Sequence, residues 1–294
     1  MRILISGAGG FVGSNLAVAM VRNRHDVVAL VRRTRSAILE TQKHIRIEQA
    51  DLAVEMDALP AGPFDALIHC AAAIPRAVPD EVLLARINVE GSCRLFGHAV
   101  KSGASVIVSC SSMAVYGRVD ADVVDRDTPI NEPGAYGRSK LESERKLAAL
   151  SHAHTGLRAL SIRLPGVVGP GSHDNFLSDT MARLAVGGTA HIRNPEGLFN
   201  NVVHIDDLAR FADTLLATAP PGHQVTTIAA IDPLPIREVV GMLQSTASPG
   251  AAVHYREEGH SFLISSDHAR TLGYQPPTVR DVVLRFAAGY AAER

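Results

Sequence analysis

The stretch Arg2-Ile3-Leu4-Ile5-Ser6-Gly7-Ala8-Gly9-Gly10-Phe11-Val12-Gly13 decides the fold of this chain. A short β-type apolar run ends in a glycine-rich turn and passes into a helical run over 14–22, so the segment reads strand, glycine loop, helix. Glycines in such a loop let the backbone turn tightly and approach a pyrophosphate, which rests against the positive end of the following helix. The spacing is Gly-x-x-Gly-x-x-Gly through Gly7, Gly10 and Gly13, because Val12 stands where Gly-x-Gly-x-x-Gly would need its last glycine.

Outward from this unit, β-type runs over 27–31, 45–49, 66–70, 105–109 and 157–164 alternate with helical stretches over 10–22, 82–101 and 135–152. This βαβ rhythm predicts a Rossmann-type α/β fold, a doubly wound parallel sheet with helices on both faces. Ligands of such sheets bind at the carboxyl ends of the strands. Gly7, the Ser111-Ser112 pair and the Pro165-Gly166 turn all follow predicted strand ends. After Leu164 the pattern loosens, then resumes with a helix over 175–185, a strand over 202–205 and a helix reaching 217, with Asp206 or Asp207 as its cap. Thr278 and Asp281 have the spacing of a capping box opening a last amphipathic helix. The expected organisation is a dinucleotide-binding domain over 1–165, to which 202–230 returns, a smaller C-terminal substrate-binding lobe from 166–201 and 231–277, and a C-terminal helix over 278–294.

With 294 residues, 46% of them hydrophobic and 20% charged, the chain can bury a large core in one domain or two intertwined lobes. A formal charge of −1 and the lack of any long Lys/Arg run leave no electrostatic footprint for nucleic acid or an anionic membrane, so a small-molecule partner is expected. The start, 1–21, is broken by glycines and Asn15 and reads as fold rather than signal peptide; no apolar stretch is long enough to span a bilayer. Cys70, Cys93 and Cys110 are odd in number and far apart, which fits reduced thiols in a cytoplasmic protein. Among thirteen histidines the closest pair, His152 and His154, points to different sides of a helix, and no metal site is expected.

Tyr136 and Lys140 stand four apart in Ala135-Tyr136-Gly137-Arg138-Ser139-Lys140, which places phenol and ammonium on one helix face. A nearby cation favours the phenolate and brings it towards the range where it exchanges a proton with an alcohol or ketone. That suits hydride chemistry.

Taken in order, the glycine loop, Asp51-Leu52, His69-Cys70-Ala71-Ala72, Asn88-Val89-x-Gly91, Ser111-Ser112-x-x-Val115-Tyr116-Gly117, Tyr136-x-x-x-Lys140, Arg163 with Gly169-Pro170-Gly171, His204-Ile205-Asp206-Asp207 and Leu272-Gly273-Tyr274-x-Pro276 resemble the extended short-chain dehydrogenase/reductase family, the NAD(P)-dependent epimerase/dehydratase group. The resemblance implies that Tyr136 is the general acid/base, that Lys140 holds the nicotinamide ribose and lowers the phenol's proton affinity, and that Ser112 hydrogen-bonds the reacting oxygen. It implies a cofactor site formed by Gly7, Gly9, Gly10, Phe11, Val12, Gly13, Arg32, Arg33, Asp51, Leu52, Ala71, Ala72, Ser111, Tyr136, Lys140, Pro165 and Val167. Substrate contacts are expected from Arg76, Ser112, Tyr116 and Arg256, with selection by the second lobe and the loops over 74–83 and 118–133. Asn88 is expected to brace the active-site strand, and a homodimer is expected through the helices over 82–101 and 135–152, using Leu83, Leu84, Leu95, Phe96, Leu141, Leu147 and Leu150.

The second strand, Val27-Val28-Ala29-Leu30-Val31, ends in Arg32-Arg33, where an NAD-specific chain would carry an acidic residue for the adenosine ribose. A guanidinium binds a 2′-phosphate that a carboxylate would repel, which favours NADP, with NAD as the alternative. Ser112 is followed by Met113 and Ala114 rather than the acid pair of a 4,6-dehydratase. The expected activity is hydride transfer between NADP(H) and a secondary alcohol or ketone of a sugar or nucleotide sugar. The alternatives are a UDP-glucose-type 4-epimerase holding NAD tightly and a non-catalytic NADP-binding regulator. Asn200-Asn201 stands where nucleotide-sugar enzymes of the group carry an arginine that meets the diphosphate, whereas Arg193 and Arg256 are available in the second lobe.

Overall fold

The computed structural model describes residues 1–33, 37–42, 44–54 and 58–292; Glu293 and Arg294, the end of the expected C-terminal helix, lie outside the described residues. The chain runs β1 (Arg2–Ser6), α1 (Phe11–Arg22), β2 (Asp26–Val31), α2 (Ala37–Glu40), β3 (Ile45–Gln49), β4 (Ala66–His69), α3 (Glu81–Ala85), a π-helical turn (Arg86–Gly91), α4 (Ser92–Lys101), β5 (Val106–Ser112), a 3-10 turn (Met113–Tyr116), β6 (Val123–Val124), α5 (Ala135–Ala153) and β7 (Arg158–Leu164). It continues through β8 (Gly166–Val168), α6 (Phe176–Ala185), β9 (Ala190–Arg193), β10 (Leu198–Phe199), β11 (Val202–His204), α7 (Ile205–Thr218), β12 (Gly222–Thr227), β13 (Leu234–Pro235), α8 (Ile236–Ala247), β14 (Val253–Arg256), β15 (Leu263–Ile264), α9 (Asp267–Thr271) and α10 (Val279–Ala292).

Two compact units result: one from 1–118, 129–163 and 209–226, the other from 119–128, 164–208 and 227–294. The first unit carries the seven-stranded sheet in the order β12-β7-β5-β4-β1-β2-β3. Strands β3, β2, β1, β4 and β5 pair parallel with their neighbours. β2 and β3 are laid down on one side of β1 and β4 and β5 on the other, so the order reverses between β1 and β4, where doubly wound sheets bind ligands. β4 is buried at every position, the near-continuous apolar run of a strand covered on both faces. Leu4, Leu30, Leu67, Leu95, Phe96 and Leu147 share one buried cluster of this unit.

The helix expected over 82–101 is interrupted. Asp80 Oδ1 accepts from the N–H groups of Val82 (2.8 Å) and Leu83 (3.1 Å) and starts α3, but a π-turn intervenes before α4 and carries Asn88 inward. The apolar side chains offered for a homodimer serve mainly as core: Leu84, Leu95, Phe96 and Leu147 are buried and only Leu83 is exposed. In the second unit, β8 pairs with β11, the strand expected over 202–205, and β9 with β14, both parallel, so β8, β9 and β14 form where the sequence shows only loosened pattern. Its core gathers Leu177, Met181, Val202, Val239, Leu243, Val283 and Phe286. Thr278 Oγ1 accepts from Asp281 N–H at 3.1 Å, but the Asp281 carboxylate turns to Arg285 Nε at 2.8 Å, so half of the expected capping box forms. Asp207 is a buried partner of Arg285 Nη2 at 2.5 Å rather than an exposed cap, and α7 already begins at Ile205.

Candidate active site

The glycine loop is shaped by contact with the end of β4. Gly7 has φ +69°, and a Cβ there would sit 2.5 Å from Ala71 N; a Cβ on Gly13 would sit 2.4 Å from Gly7 O. Both positions need glycine for the protein's own packing. Gly10 differs: its φ of −95° suits any residue, and the nearest atom to a Cβ would be Gly7 O at 3.4 Å. Gly10 caps α1, no side chain caps the helix there, and its first turn holds no acidic residue. A side chain at Gly10 would therefore enter open space at the uncapped start of α1, and a helix start of this kind suits a pyrophosphate. The residues present fit a dinucleotide.

A cleft of about 350 Å³ opens at this point of the first unit. Gly7, Gly9, Gly10, Arg32, Arg33, Asp51, Leu52, Ala71 and Ala72 line it, as the sequence suggested, and Cys70, Ile74 and Ile87 join them. Phe11, Val12 and Gly13 form the first turn of α1 behind the loop, and Arg76 is exposed beyond the lining. Pro165 and Val167 belong to the second unit, where Val167 O accepts from Asn175 Nδ2 at 3.1 Å.

Behind the cleft wall, His69 is wholly buried between Ser6 Oγ at 2.7 Å and Ser92 Oγ at 2.8 Å. Burial, reinforced by the charge of Lys140, lowers its pKa to about 3, so the imidazole is neutral and gives one serine a donor and the other an acceptor. Ser6 Oγ also accepts from Ala71 N–H at 3.4 Å, which ties the ends of β1 and β4 together. Asn88 holds the next residues, with Nδ2 donating to Ala73 O (2.9 Å) and to Ser139 Oγ (2.9 Å) and Oδ1 accepting from Ala73 N–H (2.6 Å). The brace expected of Asn88 thus joins the β4 loop to α5.

Ser111, Ser112, Tyr136 and Lys140 lie outside the cleft lining, at the carboxyl end of β5 and the start of α5. β5 runs to Ser112, so the serine pair is part of the strand and not of the loop after it. A Cβ on Gly137 would stand 2.1 Å from Ala114 O, so this glycine lets α5 approach the 3-10 turn after Ser112. Burial is the largest influence on the phenol and pushes it above its ordinary range, Cys110 adds to that, and the Ser112 hydroxyl opposes it. Lys140, expected to lower the phenol, is not among the influences; its own pKa is lowered by burial, against the pull of Cys110, Cys70 and Glu144.

One helical turn past Lys140, Glu144 is buried and accepts from Arg163 through Nη2 (2.8 Å) and Nε (3.2 Å) and from Ser111 Oγ. Arg163 Nη1 donates to Tyr116 Oη at 2.9 Å, with the guanidinium 4.8 Å from the ring centre. Tyr116, expected at the substrate, is 0% exposed and belongs to this network. Reading the four-residue spacing one turn further, Tyr136, Lys140, Glu144, would have found the carboxylate from the sequence. Arg256, which the sequence allows as either a diphosphate ligand or a surface arginine paired with Glu257 or Glu258, is exposed on β14 and stands 3.8 Å from Glu258, as a surface pair does. Asn200 is a buried brace, bonded to Ala230 O (3.1 Å) and to Ile264 through both O (2.9 Å) and N–H (2.9 Å). No group of three or more His, Cys, Asp or Glu among the described residues has a metal-holding arrangement, and no helix among them is long and apolar enough to cross a membrane.

Known proteins are similar to this chain in sequence and fold. UDP-glucose 4-epimerase of Corynebacterium glutamicum is 26% identical over 302 aligned residues, covering 94% of this chain and 91% of the relative. dTDP-glucose 4,6-dehydratase of Streptomyces griseus is 26% identical over 293, covering 93% and 89%. The solved structure of MoeE5 in complex with UDP-glucose and NAD shares the fold, with a TM-score of 0.83 at 24% identity, over 100% of this chain and 99% of that one. A family model described as the NAD dependent epimerase/dehydratase family matches residues 3–228, and the chain belongs to that family.

Proposed function

We propose that the protein is an NAD(P)-dependent oxidoreductase that interconverts a secondary alcohol and a ketone on a sugar or nucleotide sugar, with NADP(H) preferred. The observation that carries this reading is the placement of Ser112, at the end of β5, near enough to Tyr136 to draw its phenol pKa down, with buried Lys140 one helical turn along α5. A nicotinamide bound there supplies the hydride acceptor or donor. Tyr136 Oη takes the proton from the substrate hydroxyl in oxidation and returns it to the oxygen in reduction. Ser112 Oγ donates to the same oxygen and stabilises the charge that develops on it. The Lys140 ammonium would hold the nicotinamide ribose hydroxyls and, joined to Tyr136 through them, would favour the phenolate. Arg32 and Arg33 directly follow β2 and line the cleft, at a place in the sequence without an acidic residue, which supports a role in reading a 2′-phosphate.

Epimerisation with retained NAD is the second reading, favoured by the relatives named as 4-epimerases and by the family's description. Dehydration finds no support in Met113 and Ala114, which occupy the places after Ser112 where an acid pair would stand. Cofactor extraction from the purified protein separates these readings. Retained NAD, with turnover of UDP-glucose to its 4-epimer and no net change in nicotinamide, supports the epimerase; a site free to exchange NADPH, with net oxidation on adding a keto sugar, supports the reductase.

A further inference from the structure

Two thiols beside this site have no part in the proposed reaction. β4 pairs with β5 in the register His69↔Ser109, so Cys70 and Cys110 come next, opposite each other with side chains on one face, and their sulfurs lie 3.6 Å apart. Neighbouring strands run about 4.8 Å apart, inside the window of about 4.4–6.8 Å between Cα atoms that a disulfide spans. Cys110 is buried, whereas Cys70 is half-buried and lines the cleft. The third cysteine, Cys93, is exposed on α4 and stands apart from them.

We propose that Cys70 and Cys110 are a peroxide-responsive dithiol, reached through the cleft, whose disulfide weakens dinucleotide binding. The hydrogen bond from Cys70 and the charge of Lys140 lower the Cys110 thiol, while the same pairing and burial raise Cys70, so the pair gives up one proton readily and keeps the other between its sulfurs. As Cys70 sulfur attacks hydrogen peroxide, the retained proton passes to Cys110, an S–O bond forms, the O–O bond breaks, and the departing hydroxide takes back from solvent the proton the pair had released and leaves as water. Cys110 sulfur then attacks the Cys70 sulfenic acid, the S–S bond forms, the S–O bond breaks, and the hydroxyl leaves as water with the thiol proton. Two thiols and one peroxide become one disulfide and two waters, with the sulfurs oxidised by two electrons and the peroxide reduced by two.

The link to the cleft is steric. Closing the sulfurs from 3.6 Å to about 2.05 Å re-aims the side chain of Cys70, which lines the cleft. The backbone beside it is closely approached by the glycine loop, since a Cβ on Gly7 would stand 2.7 Å from Cys70 C and 2.5 Å from Ala71 N. The change therefore falls on the wall that carries Gly7 and Ala71. This coupling rests on reading the cleft as a dinucleotide site; the thiol chemistry does not.

The test is hydrogen peroxide treatment of the reduced full-length protein, an N-ethylmaleimide quench and peptide mass mapping, followed by NADPH titration of the oxidised and reduced forms. A Cys70–Cys110 linked peptide is expected while Cys93 remains alkylated, and in Cys110→Ala the Cys70 sulfenic acid should be trapped by dimedone. Alkylation of Cys70 and Cys110 after Cys93 has been oxidised would overturn the dithiol. The dissociation constant should rise by about tenfold or more on oxidation and recover with dithiothreitol. A linked peptide with unchanged affinity overturns the coupling. Absence of NADPH and NADH binding by the reduced protein would instead remove the dinucleotide reading and leave the mapping result standing.

Discussion

Replacing Gly10 and Gly13 separately by alanine divides what the ligand requires of the loop from what the fold requires. At Gly13 the new Cβ would lie 2.4 Å from Gly7 O and 2.6 Å from Gly7 C, both backbone atoms, so loop and helix must part. Overpacking of this kind costs about 1–3 kcal/mol. At Gly10 the new methyl meets only Gly7 O at 3.4 Å, an ordinary contact, and φ is −95°. Alanine is a poorer cap than glycine there but restricts the unfolded chain, and these opposed effects leave stability within about 1 kcal/mol of wild type. The methyl does enter open space at the start of α1. Losing one or two charge-assisted hydrogen bonds to a phosphate, at about 1.5–3 kcal/mol each, weakens dinucleotide binding by about 10-fold for one weak bond to about 10,000-fold for two strong ones. Urea denaturation and calorimetric titration with NADPH and NADH read both effects. A Gly10→Ala protein that binds as tightly as wild type would refute the placement of the pyrophosphate.

Arg32→Asp combined with Arg33→Ala should raise the dissociation constant for NADPH far more than for NADH; titration giving an unchanged ratio would place recognition of the 2′-phosphate elsewhere. His69 is neutral when folded, with its pKa lowered to about 3 from 6.5, so between these values the unfolded chain binds more protons. Its contribution is complete above pH 6.5 and is lost as pH falls towards 3, at a slope of up to about 1.4 kcal/mol per pH unit. Urea midpoints measured from pH 7 to 5 should fall, and fall less steeply in His69→Gln; equal slopes in the two proteins would contradict the buried neutral state. Glu144→Gln leaves the Arg163 charge buried without its partner and should cost about 3–5 kcal/mol in urea unfolding, whereas a loss under about 1 kcal/mol would show that solvent reaches the pair.

The elements that carry the cleft were legible because each has a local cause. The β1 run, the glycine spacing and the arginines after β2 are contiguous in sequence, and the parallel sheet follows from alternating strand and helix signals. What escaped depends on partners distant along the chain. Tyr116 looks like a polar residue beside the active-site serines, but Arg163, 47 residues on, takes its hydroxyl into the core. Cys70 and Cys110 are 40 residues apart and become neighbours only through the register of β4 and β5. The π-turn at Arg86–Gly91 leaves the apolar periodicity of its helix almost unchanged, and so only the structure reveals how Asn88 is turned towards Ala73 and Ser139.

The central claim is that Tyr136 moves the proton that accompanies hydride transfer. The most direct measurement is the appearance or loss of reduced-nicotinamide absorbance when wild type and Tyr136→Phe are mixed with dinucleotide and a panel of nucleotide sugars and simple ketones. The account predicts that Tyr136→Phe keeps its affinity for the dinucleotide and loses at least about two orders of magnitude in turnover of whichever substrate the wild type accepts; full turnover by Tyr136→Phe would contradict it.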